Sequence, residues 1–306
     1  MTTVVYANML AMLESSRLDG DKLRRIAEAE TVEAALKMLG DYGFSYVAGG
    51  DADAFAIAET NALIKFIREN SASAALADAL IAPFAYNNAK LAYKSRFVQA
   101  PTDGYYDTDL DVEKIADGDY SEADKFMREA LEALDEAKEA KPQAIDLALT
   151  RAMYKYILSC CGGVTRKFFV AQIDMKNILA AARMRRLGQD RDEFADGGKI
   201  SKATLSEAVR AESFAECFEN TPYAEMAEDM EARGFSELWS FERDADDFLV
   251  FATDSQCARM ATAEPFLNFY IRRLVELKAI KTALVCVKTN SRDTFYARVP
   301  TAYGSL

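Results

Sequence analysis

Histidine is absent from all 306 residues, which removes the usual general base at neutral pH and the commonest transition-metal ligand. Serine–histidine, cysteine–histidine and zinc–histidine chemistry are thereby excluded. The five cysteines, Cys160, Cys161, Cys217, Cys257 and Cys286, are an odd set without metal-ligand spacing. The N-terminus lacks the basic-then-apolar pattern of a secretory signal, and both features point to a reducing cytoplasm. No apolar run approaches the ~20 residues that span a bilayer; the closest, Ala74 to Tyr86, contains Asp78 and Pro83. The chain is therefore read as soluble, or peripheral at most. Phosphate-loop patterns are missing as well. Gly162-Gly163 and Gly197-Gly198 are isolated pairs outside any GxxxxGK[ST] or GxGxxG frame, which leaves helix termination as their reading and no nucleotide site.

What is present is acid and apolar surface. Against 37 basic side chains stand 49 acidic ones, for a net charge of −12. That is the wrong sign for a protein whose affinity comes from neutralising phosphates, so nucleic acid is set aside as a partner. Half of the residues are apolar, enough to bury one large core or two to three smaller ones.

Apolar residues recur at helical spacing through most of the chain. Tyr6, Met9, Leu10 and Leu13 share one face, and Val32, Ala35, Leu36 and Leu39 repeat the pattern, with Thr31 placed to cap that helix and Gly40 to end it. Ser121 with Asp124 resembles a capping box, followed by Met127, Ala130, Leu131 and Leu134. After Pro142, Leu149, Ala152, Met153, Tyr156 and Cys160 point inward. Beyond Gly163 come Phe168, Ala171, Met175, Ile178, Leu179 and Ala182. Phe248 to Thr253 and Leu284 to Thr289 have strand-like composition, but each is short and flanked by helical pattern. Gly49 to Asp53 and the acidic run from Pro101 to Tyr120 read as loops, the second as a domain boundary. The expected fold class is all-α.

Candidate sites for chemistry are thin. Asp107, Asp109 and Asp111 alternate as in a calcium loop, yet the glycine and glutamate that such a loop needs are Val112 and Gly118 here. Asp244, Asp246 and Asp247 could hold magnesium in a helical enzyme only with a second carboxylate cluster, and none stands at matching spacing. Cys160 falls on an apolar stripe and reads as packing. Arg183, Arg185 and Arg186 sit near a helix end, where cations complement the dipole. No catalytic residue, metal ligand, cofactor or small-molecule substrate is expected.

The more informative pattern is a repeat. Three long helices begin with an aromatic residue followed by polar groups that interrupt the expected surface pattern, roughly 90 to 100 residues apart. The first runs from Phe84 through Asn87, Asn88 and Lys90 to Lys94. The second runs from Phe169 through Asp174, Lys176 and Asn177 to Arg183. The third holds Phe266, Tyr270, Arg272, Arg273, Glu276 and Lys278. A second doubled feature, Leu36 to Tyr42 and Phe218 to Tyr223, also argues for duplication. With the opening from Tyr6 to Leu39, the Gln143-Ala144-Ile145-Asp146 stretch and Gly197-Gly198-Lys199-Ile200, these segments make a chain that resembles the C-type stalk family of A/V-type ATPases, whose eukaryotic members are designated d. The resemblance spans nearly the whole sequence.

That resemblance implies three similar helical domains, at 1–104, 105–198 and 199–306, in a pseudo-threefold funnel. It implies a non-catalytic adaptor of the central stalk, peripheral at the cytoplasmic face of the membrane. Its partners would be the central-shaft subunits and the membrane proteolipid ring, in ATP-linked proton or sodium transport. If the repeated polar faces line the funnel, the residues expected to meet partners are Asn87, Asn88, Lys90, Lys94, Asp174, Asn177, Arg183, Arg272 and Glu276. The same stripes and acidic surface also fit a cytoplasmic helical-repeat scaffold for soluble protein partners.

Overall fold

A computed structural model describes residues 18–98, 104–189, 193–257 and 264–299. All regular structure among them is helical, in thirteen α-helices and one 3-10 turn. In chain order these are α1 (Gly20–Ala27), α2 (Val32–Asp41), α3 (Ala52–Asn70), α4 (Ala74–Ser95), α5 (Val112–Asp117), α6 (Lys125–Glu136), α7 (Pro142–Cys160) and α8 (Gly163–Leu187). They continue as α9 (Lys202–Arg210), the 3-10 turn (Ala215–Phe218), α10 (Ala224–Ala232), α11 (Leu238–Cys257), α12 (Glu264–Thr289) and α13 (Arg292–Arg298). The two strand-like stretches lie inside α11 and α12, where the helical periodicity of their flanks prevails over local β-propensity. Tyr6, Met9, Leu10 and Leu13 lie outside the described residues.

Local chemistry explains most helix ends. The Thr31 hydroxyl accepts the Ala34 N–H at 3.1 Å and opens α2 as its sequence position requires. The glycine that leaves α2 is not Gly40, which sits inside the helix, but Gly43, whose φ of +90° only glycine adopts without strain. At α6 the cap is Asp124 itself, its carboxylate accepting from Phe126 and Met127 at 2.9 and 3.1 Å; Ser121 lies upstream of it and caps nothing. Asp111 opens α5 in the same way, and Asp109 pairs with Arg68 at 2.9 Å, so the calcium-like aspartates serve caps and pairs. Cys161 and Gly162 separate α7 from α8, whose first residue is Gly163.

The described chain forms two compact units. The first holds the described parts of Thr60–Asn177 and Glu193–Lys199. There α4 packs along α7, with α6 also on α7 and α5 on α4. Leu80, Tyr93, Leu131, Ile145, Leu149 and Tyr154 are wholly buried, each such side chain contributing about 1.5–3 kcal/mol. Of the residues expected inward on α7, Leu149, Ala152 and Met153 are buried while Tyr156 and Cys160 are half-buried.

The second unit holds the described parts of Met1–Glu59, Ile178–Asp192 and Ile200–Leu306. Its centre is α12, which packs on α1, α2, α11 and α13 and buries Phe266, Tyr270, Ile280 and Leu284. Around the 3-10 turn, the Phe214 ring meets Phe218 at 5.0 Å and Phe235 at 5.2 Å, tying α9 and α10 to it through an aromatic cluster.

Candidate partner-binding faces

Asn88 projects from the middle of α4 and is buried. Its Oδ1 accepts the Tyr106 N–H at 2.9 Å, and its Nδ2 donates to the Tyr106 carbonyl at 2.8 Å and to Thr108 Oγ1 at 3.0 Å. Roughly 90 residues later Asn177, buried on α8, does the same to Ala195, accepting its N–H at 2.8 Å and donating to its carbonyl at 3.0 Å. In both cases the clamped residue lies 18 positions further along the chain. A side-chain amide offers a donor and an acceptor, so it replaces a missing backbone partner on both counts. The two sites are one device used twice, and these carboxamides hold the chain's own loops.

The second clamp has further support. Arg151 Nε donates to the Phe194 carbonyl at 2.9 Å, and Asp174, fully buried one turn before Asn177, lies against Gly198. A Cβ on Gly198 would collide with Asp174 Oδ1, and one on Gly197, where φ is +104°, with Leu158 Cδ1. The Gly197-Gly198 pair therefore does not terminate a helix. It lets the backbone lie directly on α7 and α8.

Glu276 on α12, expected to meet a partner, is likewise fully buried. It accepts the Leu18 N–H at 3.0 Å and is paired with Arg273, which also reaches the buried Glu59 at 2.8 Å and stacks over the Phe44 ring at 4.7 Å. Such an enclosed ionic group costs about 3–5 kcal/mol to break by removing one partner. Arg272 is half-buried and donates from Nε to Asn268 Oδ1 at 3.1 Å.

Lys90, Lys94 and Asn87 are placed differently. All three are half-buried on α4. Lys90 Nζ donates to the Thr150 hydroxyl at 2.7 Å, and Lys94 Nζ reaches Asp146 Oδ1 at 2.6 Å, both acceptors being on α7. Burial draws the Lys90 ammonium down to about 8; Asp146 resists this, while Lys176 and Lys94 add to it. Lys176, exposed on α8, stands over the Tyr154 ring at 5.5 Å. In the second unit Arg183 meets Glu242 at 2.7 Å with both side chains largely in solvent. Arg185 turns away from its own helix end and donates to the Ala208, Ala211 and Glu212 carbonyls, closing α9.

Thr150, Lys176, Arg273 and Glu59 carry these arrangements and were not among the residues expected at a site. Lys176 and Arg273 left a signal, as polar groups within the repeated long helices. The aspartates of α11 are engaged locally, Asp244 by Arg243 at 2.8 Å and Asp246 by Lys278. No cluster of metal-binding side chains occurs among the described residues. No helix among them is long and apolar enough to cross a membrane.

A family model described as the ATP synthase (C/AC39) subunit matches residues 9–298. The chain belongs to that family. It is a family of non-catalytic central-stalk subunits of V/A-type ATPases, in keeping with an all-α chain whose polar groups are spent on clamps and ion pairs. No curated protein matches the chain. Within the C/AC39 frame, Asn88, Asp174, Asn177 and Glu276 are interior to the protein, and Asn87, Lys90, Lys94, Arg183 and Arg272 retain exposure.

Proposed function

We propose that this chain is the adaptor between the rotor shaft and the membrane proteolipid ring of a V/A-type ATPase, and that it passes rotation between them during ATP-linked proton or sodium transport. The observation that carries this reading is the C/AC39 family match over residues 9–298. The adaptor works at the cytoplasmic face of the membrane, held there by its partners. Its three helical repeats, 1–104, 105–198 and 199–306, form a funnel that receives the shaft, and its contacts run through the exposed members of the repeated polar faces. The twofold use of the asparagine clamp, at Asn88 and Asn177, supports a duplicated origin. A part that transmits torque must not yield, and buried clamps of this kind resist shear because each moves only by breaking hydrogen bonds in a dry interior.

The test is to purify the tagged chain from its native cells in mild detergent and identify by mass spectrometry what accompanies it. Catalytic head, shaft and proteolipid recovered together are expected. Recovery of soluble partners alone, with the intact ATPase present in the same cells and lacking this chain, refutes the role.

A further inference from the structure

Between Pro142 and Gln189 the only carboxylates are Asp146 and Asp174, in a chain whose net charge is −12. Asp174 is fully buried, so Asp146 is the one carboxylate that α7 and the adjoining part of α8 expose. Lys90 and Lys94 reach this surface from α4. Asp146 is paired with Lys94, Lys176 makes no ion pair among the described residues, and the Lys90 ammonium has a neutral hydroxyl as its hydrogen-bond acceptor. An ammonium has three donors, and a half-buried one with a single neutral acceptor is under-satisfied. Three cations therefore stand around one carboxylate at the meeting of α4, α7 and α8.

We infer that this cluster of Lys90, Lys94 and Lys176, with Thr150, is a docking site for a carboxylate side chain on an acidic loop of the rotor shaft. The inference rests on the adaptor reading above and names the chemistry of one of its contacts. A carboxylate fits better than a phosphate. The cluster has no guanidinium fork and no run of free backbone N–H groups, and Asp146 already offsets part of its charge, which suits a singly charged acceptor. Arrival of the acid completes the hydrogen bonding of Lys90 and balances Lys176, so the charge left under-satisfied in the free chain becomes a contact in the assembled rotor.

The experiment measures binding of the purified chain to the soluble shaft proteins of its own ATPase by calorimetry, at low and raised salt. Lys90→Met removes the buried ammonium and keeps the stem; Lys176→Glu reverses an exposed charge that lies over the Tyr154 ring. Lys167→Glu, on the opposite face of α8 by helical periodicity, controls for net charge. Lys90→Met and Lys176→Glu are each expected to weaken binding by about tenfold or more and to flatten its salt dependence. Lys167→Glu should match wild type. If the wild-type chain does not bind the shaft, the adaptor reading fails and takes this site with it. If the wild type binds and both variants bind equally well, the carboxylate site alone is wrong. Loss of ring binding in the variants with shaft binding intact also overturns the assignment.

Discussion

At the scale of single residues, Lys90 holds its charge in a position that disfavours it. Burial lowers its pKa from 10.5 to about 8, with Asp146 acting against the shift and Lys176 and Lys94 with it. The folded value lies below the unfolded one, so at pH 7 the folded state carries a disfavoured charge worth roughly 3 kcal/mol. That penalty lifts between about pH 8 and 10.5, where the unfolded chain keeps a proton that the folded chain has lost, and stability rises with pH there. Lys90→Met is expected to stabilise the chain by about 1–3 kcal/mol at pH 7, after allowing for the donor lost to Thr150. The gain over wild type should shrink by pH 10. Denaturant midpoints at the two pH values check this. A variant weaker than wild type at both would mean that the ammonium is better satisfied than Thr150 and Asp146 make it. A stabilising change that weakens shaft binding is the pattern of a residue kept for function at the expense of stability.

At the scale of elements, the segment 193–199 shows how a loop without secondary structure is held. Asn177 fixes Ala195 by both backbone groups, Arg151 holds the Phe194 carbonyl, and Gly198 lets the chain lie on Asp174. Gly198→Ala places a methyl group where Asp174 Oδ1 sits, so the loop must lift or the buried carboxylate must move. The expected result is a loss of about 1–3 kcal/mol and faster amide exchange at Ala195, whose N–H the Asn177 side chain protects. Unchanged exchange at Ala195 would show that the clamp does not depend on the close approach.

The same element marks where reading the sequence runs out. Helix existence and burial followed from apolar spacing, and Thr31 was identifiable as a cap because a hydroxyl before a periodic run has one use there. The start of α6 is not fixed by local sequence, since Asp119, Ser121 and Asp124 are all competent caps and the backbone path selects Asp124. Paired glycines are ambiguous for a similar reason: helix ending and close approach leave the same mark, and only the position of Asp174 separates them. Asn88 and Asn177 were visible as polar interruptions in long helices. Whether they face a partner or their own loop depends on a contact 18 residues away, which no local pattern encodes.

At the scale of the whole molecule, the missing histidine returns as a statement about pH. Asp135 is pushed up by burial, but hydrogen bonds from Tyr120, Tyr93 and Arg96 outweigh this and hold it below the usual carboxylate value. For Glu231 burial is outweighed by the Phe214 N–H, the Ser213 hydroxyl and the Ala215 N–H. Depressed carboxylates contribute stability that is complete above their unfolded pKa and lost as pH falls through the folded one, so both units weaken in acid, below about pH 4. The lowered Lys90 first acts near pH 8. With no histidine in the chain, no side chain with an ordinary pKa changes charge from about pH 6 to 7.5, and Asp246, which burial raises against the pull of Lys278, is a described carboxylate shifted toward that window. Stability is expected to be flat across that window, with a denaturant midpoint that does not move, followed separately by a probe in each unit because the two need not unfold together. A slope above roughly 1 kcal/mol per pH unit in that range would point to Asp246, carried up into it by burial. A flat profile suits a central-stalk subunit, whose stiffness then does not follow pH.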